Sequence, residues 1–339
     1  AIVALTCLAW GQTLEQAKRA FDAGNYAEAA RLFEKSHQAS PRCDTLFFLG
    51  MARYRLKQVD NSLIAFQSAV HCDPKLVLAH LALAEAYTER GNQAEALAAF
   101  TKVLALEPRN GSALRGAASI YLELQLNEKA VPLLETLVQV DGKNPQAHAE
   151  LGAAYFAVGN LDGARVEFKE ALRLKPDHAS ALLGAGNVYL KAAEEEQAIP
   201  LLQRAAKIIP QAYQPRFLLG SAYNRLGRYQ EAAAELERAV RLGANDPEVF
   251  YHLARAYGGL DRQEDRRKAL AQFALETRKS KESIEATRRA LRLMDQARAL
   301  VDSGDLEAAA ARVDEARELR PSDDLILFRL AGLHYDLGR

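Results

Sequence analysis

Six tyrosines stand in register: Tyr87, Tyr121, Tyr155, Tyr189, Tyr223 and Tyr257, each 34 residues after the one before. Pro74, Pro108, Pro176 and Pro210 keep the same step or twice it. A fixed period of this length points to one supersecondary unit repeated along the chain. A chain of 339 residues could hold two ordinary domains. An array in which contacts run only between neighbouring units is the better reading.

The fullest copy of the unit spans residues 145–176. Leu151-Gly152 is followed one helical turn later by Tyr155, so these side chains share a helix face. Gly159-Asn160 follows, and a glycine suits the left-handed residue that ends a helix. Ala164, Phe168 and Ala171 then recur at helical spacing, and Pro176 stops the second helix. Each unit therefore reads as helix, tight turn, helix, stop. This pattern of small, aromatic and proline positions resembles the tetratricopeptide repeat family and covers nearly the whole chain after residue 12. The resemblance implies an all-α fold, a right-handed superhelical solenoid of antiparallel hairpins with first helices lining a concave inner face. It implies much less about the partner, because one fold carries many functions.

In chain order, residues 1–11 are almost wholly apolar and read as the remnant of a secretory signal peptide or as a leading helix. A lipid anchor on Cys7 is disfavoured, since Ala4 stands where such a motif wants leucine. The array proper is expected over 12–282 as about eight repeats, the last degenerate. Lys57 and Gln125 replace the turn glycine in the second and fourth. Between Gly259 and Gly304 there is no Gly or Pro, only good helix formers in abundance. This predicts a helix to about Ser280 and a second from about Glu282 to Asp302. Residues 283–339 read as a further repeat plus a truncated half repeat, as if the chain were cut there.

The tyrosine ladder reads as core packing rather than a stacking platform. The inner face is the functional candidate. By resemblance, the positions beside the core residues of the first helices point into it: Arg115, Ser119, Phe156, Asn187, Leu190, Lys191, Phe217, Ser221, Asn224, Arg225, Tyr251 and Arg255, with Ala149 and Ala153 as small floor residues. An apolar floor with amide and cationic donors suits an extended peptide or a helix; an ordinary solvated face is the alternative. The family's chaperone-tail binders clamp a carboxylate with Lys, Asn and Arg. Leu81, Glu85 and Ala149 occupy comparable positions, so chaperone binding is not expected.

Cys43 and Cys72 sit at the start and end of one hairpin, where a disulfide needs no backbone movement; two free thiols are the other reading. A bond there would close a loop worth ~3 kcal/mol in chain entropy. Arg278, Lys279, Lys281, Arg288, Arg289 and Arg292 form a basic run diluted by Glu282 and Glu285, which reads as a solvated helix face. The histidines show no metal spacing, no cofactor motif is present, and no nucleophile–base–acid set emerges. Lys plus Arg equals Asp plus Glu, at 44 each, which argues against nucleic acid as the main partner. No stretch approaches the ~18 apolar residues needed to span a bilayer. The reading is a non-catalytic protein-binding scaffold, exported to a bacterial-type periplasm or beyond, or cytoplasmic if residues 1–11 are not a signal. The alternative is the repeat arm of a larger enzyme, such as a glycosyltransferase or protease, or of an envelope secretion or polysaccharide-export assembly.

Overall fold

The computed structural model describes residues 13–319, and every regular element among them is an α-helix. Two compact units meet in sequence between Leu174 and Lys175. The first holds α1 (residues 13–22), α2 (Tyr26–Ala39), α3 (Cys43–Arg55), α4 (Val59–Cys72) and α5 (Val77–Arg90). It continues with α6 (Gln93–Leu106), α7 (Gly111–Glu123), α8 (Asn127–Val140), α9 (Pro145–Ala157) and α10 (Leu161–Leu174). The second holds α11 (Ala179–Lys191), α12 (Glu195–Ile208), α13 (Gln214–Arg225), α14 (Tyr229–Arg241), α15 (Pro247–Gly259), α16 (Gln263–Ser303) and α17 (Leu306–Leu319). The signal-peptide reading of 1–11, Cys7 and the half repeat after Pro321 fall outside the described residues, wholly or nearly so.

Within each unit a helix packs on its neighbours along the chain: α3 on α4, α4 on α5, α5 on α6, and likewise through α13, α14 and α15. The second helix of each hairpin supplies one large buried side chain every 34 residues: Phe66, Phe100, Leu134, Phe168, Leu202 and Leu236. Burying each from water contributes roughly 1.5–3 kcal/mol. Four residues before each stands a small one, Ser62, Ala96, Ala130, Ala164, Ala198 or Ala232, wholly buried, which lets the helices approach. Facing them, Gly152 leaves room for the Phe168 ring: a Cβ there would lie 2.9 Å from two ring carbons.

The turns obey the same period more strictly than the residue types do. Positions 57, 91, 125, 159, 193, 227 and 261 all have positive φ. Glycine fills 91, 159 and 227, whereas Lys57, Gln125, Ala193 and Asp261 adopt the same left-handed backbone at φ 56–61°. Hairpin geometry, not the local residue, dictates the conformation.

The tyrosines are tied backward along the chain. The ring of each is at least partly buried, and in Tyr87, Tyr155, Tyr223 and Tyr257 the hydroxyl meets a residue twenty positions earlier on the preceding second helix. Gln67 donates to Tyr87 at 2.7 Å and Gln203 to Tyr223 at 3.0 Å. Tyr155 donates to Glu135 at 2.6 Å and Tyr257 to Glu237 at 3.0 Å. That carboxylate, followed by burial, pushes the Tyr155 phenol up to about 12.

The expected break near residue 281 does not occur. α16 runs unbroken for 41 residues, so the second helix of one hairpin and the first of the next are a single rod. The expected boundary at 282/283 falls inside it. With no Gly or Pro in that interval, nothing halts propagation, and Ser280 and Ser283 lie within the helix rather than at an end.

Cys43, at the first turn of α3, and Cys72, at the last of α4, are joined by a disulfide with a Cα–Cα distance of 5.4 Å. Among the described residues no helix is long and apolar enough to cross a membrane.

Candidate functional site

In the first unit, three successive first helices converge on one cleft of about 560 Å³. α3 gives Tyr54, α5 gives Glu85, Thr88 and Glu89, and α7 gives Arg115 and Ser119, over a floor that includes Phe100 and Ile120. Tyr54 hydrogen-bonds Glu89; burial and this bond push the phenol up to about 12, and the bond holds the Glu89 carboxyl below its usual range. Glu85 is open to solvent, yet the surrounding walls strip enough water to raise its pKa, with Arg55 opposing. Arg115 forms ion pairs with Glu150 at 3.7 Å and Asp141 at 4.0 Å, both outside hydrogen-bond geometry, so its buried Nε has no hydrogen-bond partner. Phe156 is half-buried at the end of α9, and Ala153 is exposed beside it. Ala149 is buried.

In the second unit, as in the first, successive first helices pack on each other, here α11 on α13 and α13 on α15. This closes off three residues expected to line an open groove: Leu190, Ser221 and Asn224 are buried. Asn224 donates to the His252 carbonyl at 2.8 Å, while its Oδ1 is buried without a partner. Arg225 donates to the Leu190 carbonyl at 2.6 Å and to Glu195 at 3.2 Å. The bonds of Asn224 to His252 and of Arg225 to Leu190 join consecutive first helices, and Leu190, Ser221 and Asn224, all buried, are packing groups. Asn187 and Phe217 are half-buried; Lys191, Arg225, Tyr251 and Arg255 are exposed. Phe217 and Tyr251 both set a ring edge-to-face against His252, at 5.7 and 5.5 Å. Burial, then Arg255 and Arg225, lower His252 to about 4, so it is neutral at physiological pH.

The two faces therefore differ in charge: carboxylates dominate the cleft around Glu85, and cations dominate the face of α11, α13 and α15. Sequence reasoning did not select Tyr54, Glu85, Glu89 or His252 as site residues. The signal was present for the first two: Glu85 is Ser119 one period earlier, and Tyr54 is Phe156 three periods earlier.

Three family models match in sequence. A tetratricopeptide repeat model covers 14–76 and 294–339, a second covers 87–154, and the middle TPR-like domain of cilia and flagella-associated protein 70 covers 126–243. Paired helices, the left-handed turn and the aromatic register coincide with these matches. The chain is a tetratricopeptide repeat protein. Its TPR units are all-α solenoids, like a tetratricopeptide repeat protein from Parabacteroides merdae, which aligns over 74% of this chain and 99% of its own with TM-score 0.51 at 19% identity. YrrB, described as a TPR protein with an unusual peptide-binding site, aligns over 55% of this chain and 96% of its own with TM-score 0.52 at 21% identity. Among curated TPR relatives, the CTR9 homolog of Arabidopsis thaliana is 24% identical over 253 residues, 71% of this chain and 23% of that protein. The BBSome complex member BBS4 homolog of Drosophila melanogaster is 24% identical over 256 residues, 71% of this chain and 52% of that protein. Human protein O-mannosyl-transferase TMTC1 is 24% identical over 194 residues, 55% of this chain and 22% of that protein. The chain thus spans about half or less of these relatives. Its fold is that of a protein–protein interaction scaffold.

Proposed function

We propose that this TPR protein is a non-catalytic scaffold that grips a segment of another protein along the open faces of its first helices. The observation that carries the reading is the cleft of about 560 Å³ to which α3, α5 and α7 each contribute side chains, Tyr54 and Thr88 at one register and Glu85 and Ser119 at another. A trough assembled from successive repeats suits a partner laid across them, with an apolar floor for affinity and Glu85, Arg115 and Ser119 for selectivity. The likeness to a protein named as a BBSome complex member supports an assembly role. The Cys43–Cys72 disulfide supports export to an oxidising compartment.

The test is capture of partners from the native source on immobilised protein, followed by identification and affinity measurement. The doubly substituted Phe156→Ala, Phe217→Ala protein is expected to lose captured partners by about tenfold in affinity or more. Retention of every partner at wild-type affinity overturns the reading. A second reading, the arm of a larger protein, is favoured by the small share of the relatives that the chain spans, including the transferase. There the same faces position a substrate protein, and the full reading frame decides between the two.

A further inference from the structure

The unbroken course of α16 leaves one hairpin unsealed. Elsewhere within a unit, each second helix packs on the first helix that follows: α4 on α5, α6 on α7, α8 on α9, α12 on α13 and α14 on α15. α16 instead continues outward, so no returning helix follows its first half, and it next pairs with α17. The consequence shows at Leu270. It continues the series Phe66, Phe100, Leu134, Phe168, Leu202 and Leu236, of which none is more than 3% exposed, yet Leu270 itself is 43% exposed. Tyr251, on the facing helix α15, is 50% exposed.

Between them lies a groove of about 370 Å³, lined by Tyr251, Ala254, Arg255, Gly258, Arg266 and Leu270. Arg266 stands where six preceding second helices carry a small, wholly buried residue. Its side chain runs across Gly258, about 3.5 Å from where a Cβ would be. No carboxylate lines the groove, and Arg255 and Arg266 form no ion pair among the described residues.

We infer that this groove on α15 and α16 is a second docking site, separate from the cleft around Glu85, for an amphipathic α-helix of another protein that bears carboxylates beside its apolar stripe. A helix fits because the same surface on α13 and α14 receives α15. Carboxylates fit because two unpaired guanidinium groups line the groove and nothing in it neutralises them. A second copy of the chain fits less well: two-fold pairing through this face would set Arg255 and Arg266 against their own counterparts.

The test uses two synthetic helical peptides that carry the inward side chains of α15 (Val249, Phe250, Leu253, Ala256) on one stripe. One has glutamates on its remaining positions and the other lysines. Fluorescence anisotropy on the full chain is expected to show the glutamate peptide binding at least about tenfold tighter than its twin. Leu270→Asp and Arg266→Ala should each weaken it by about tenfold, while Glu85→Lys leaves it unchanged. Leu270 is exposed, so its replacement leaves the helix content intact by circular dichroism. No binding, equal affinity for the twins, or indifference to Leu270→Asp overturns the proposal. So does a concentration-dependent dimer that Leu270→Asp dissolves, which would make the occupant a second copy.

Discussion

Replacing Gly152 by alanine separates packing from helix propensity. Gly152 lies inside α9, where alanine is intrinsically the better residue by about 1 kcal/mol. Against that gain, the new Cβ meets Cδ1 and Cε1 of Phe168 at 2.9 Å, where carbon atoms settle at about 3.5–4.0 Å. The ring is only 2% exposed and has little room to retreat. Overpacking of this kind costs about 1–3 kcal/mol, so the net expectation is a loss of about 1 kcal/mol. Gly111→Ala is the control, since its Cβ would meet only Leu137 Cδ1, at an ordinary 3.7 Å. It should be neutral or slightly stabilising. Urea unfolding followed by circular dichroism gives the two midpoints, and hydrogen exchange localises the loss to α9 and α10. If Gly152→Ala is as stable as Gly111→Ala or more so, the claim that glycine is held there by Phe168 is refuted.

Other consequences can be measured alongside. Ala193→Gly, at φ 58°, should stabilise the second unit by up to about 1 kcal/mol, because an L-residue is strained there; a lower unfolding midpoint would contradict it. Reducing the Cys43–Cys72 bond, or Cys43→Ser with Cys72→Ser, should cost about 3 kcal/mol in the first unit by urea unfolding. The folded state holds His252 at about 4, below its ordinary 6.5, so the unfolded chain takes up the extra proton. Its contribution is therefore complete above about pH 6.5 and lost as pH falls toward 4, with a slope of at most about 1.4 kcal/mol per pH unit. NMR titration of the imidazole checks this, and an ordinary midpoint near 6.5 would refute it.

The periodic part of the fold was open to reading because its rules repeat. Tyr155, Gly159, Ala164 and Phe168 each fix a local choice, and recurrence at 34 residues confirms it. The exceptions were legible only by position: Lys57 and Ala193 take the left-handed turn against their own preference because the hairpin around them demands it. The interval after Gly259 carried no stop signal, and expecting a break there imposed the period where propagation wins. The site was harder still. Asn224 and Asn187 look alike in sequence and both sit on first-helix faces. Only the direct packing of α13 on α15 decides that Asn224 is sealed inside. Likewise the carboxylates around Arg115 come from α5, from α9 and from the turn before α9, a gathering no single repeat reveals.

The central claim is that partners lie on the open faces of the first helices. Hydroxyl-radical footprinting of the protein with and without a captured partner tests it directly. The account predicts lowered oxidation at Tyr54, Phe156 and Phe217, with Ile64 and Val166 on the second helices unchanged. Protection of Ile64 and Val166 while Tyr54, Phe156 and Phe217 stay reactive would contradict it.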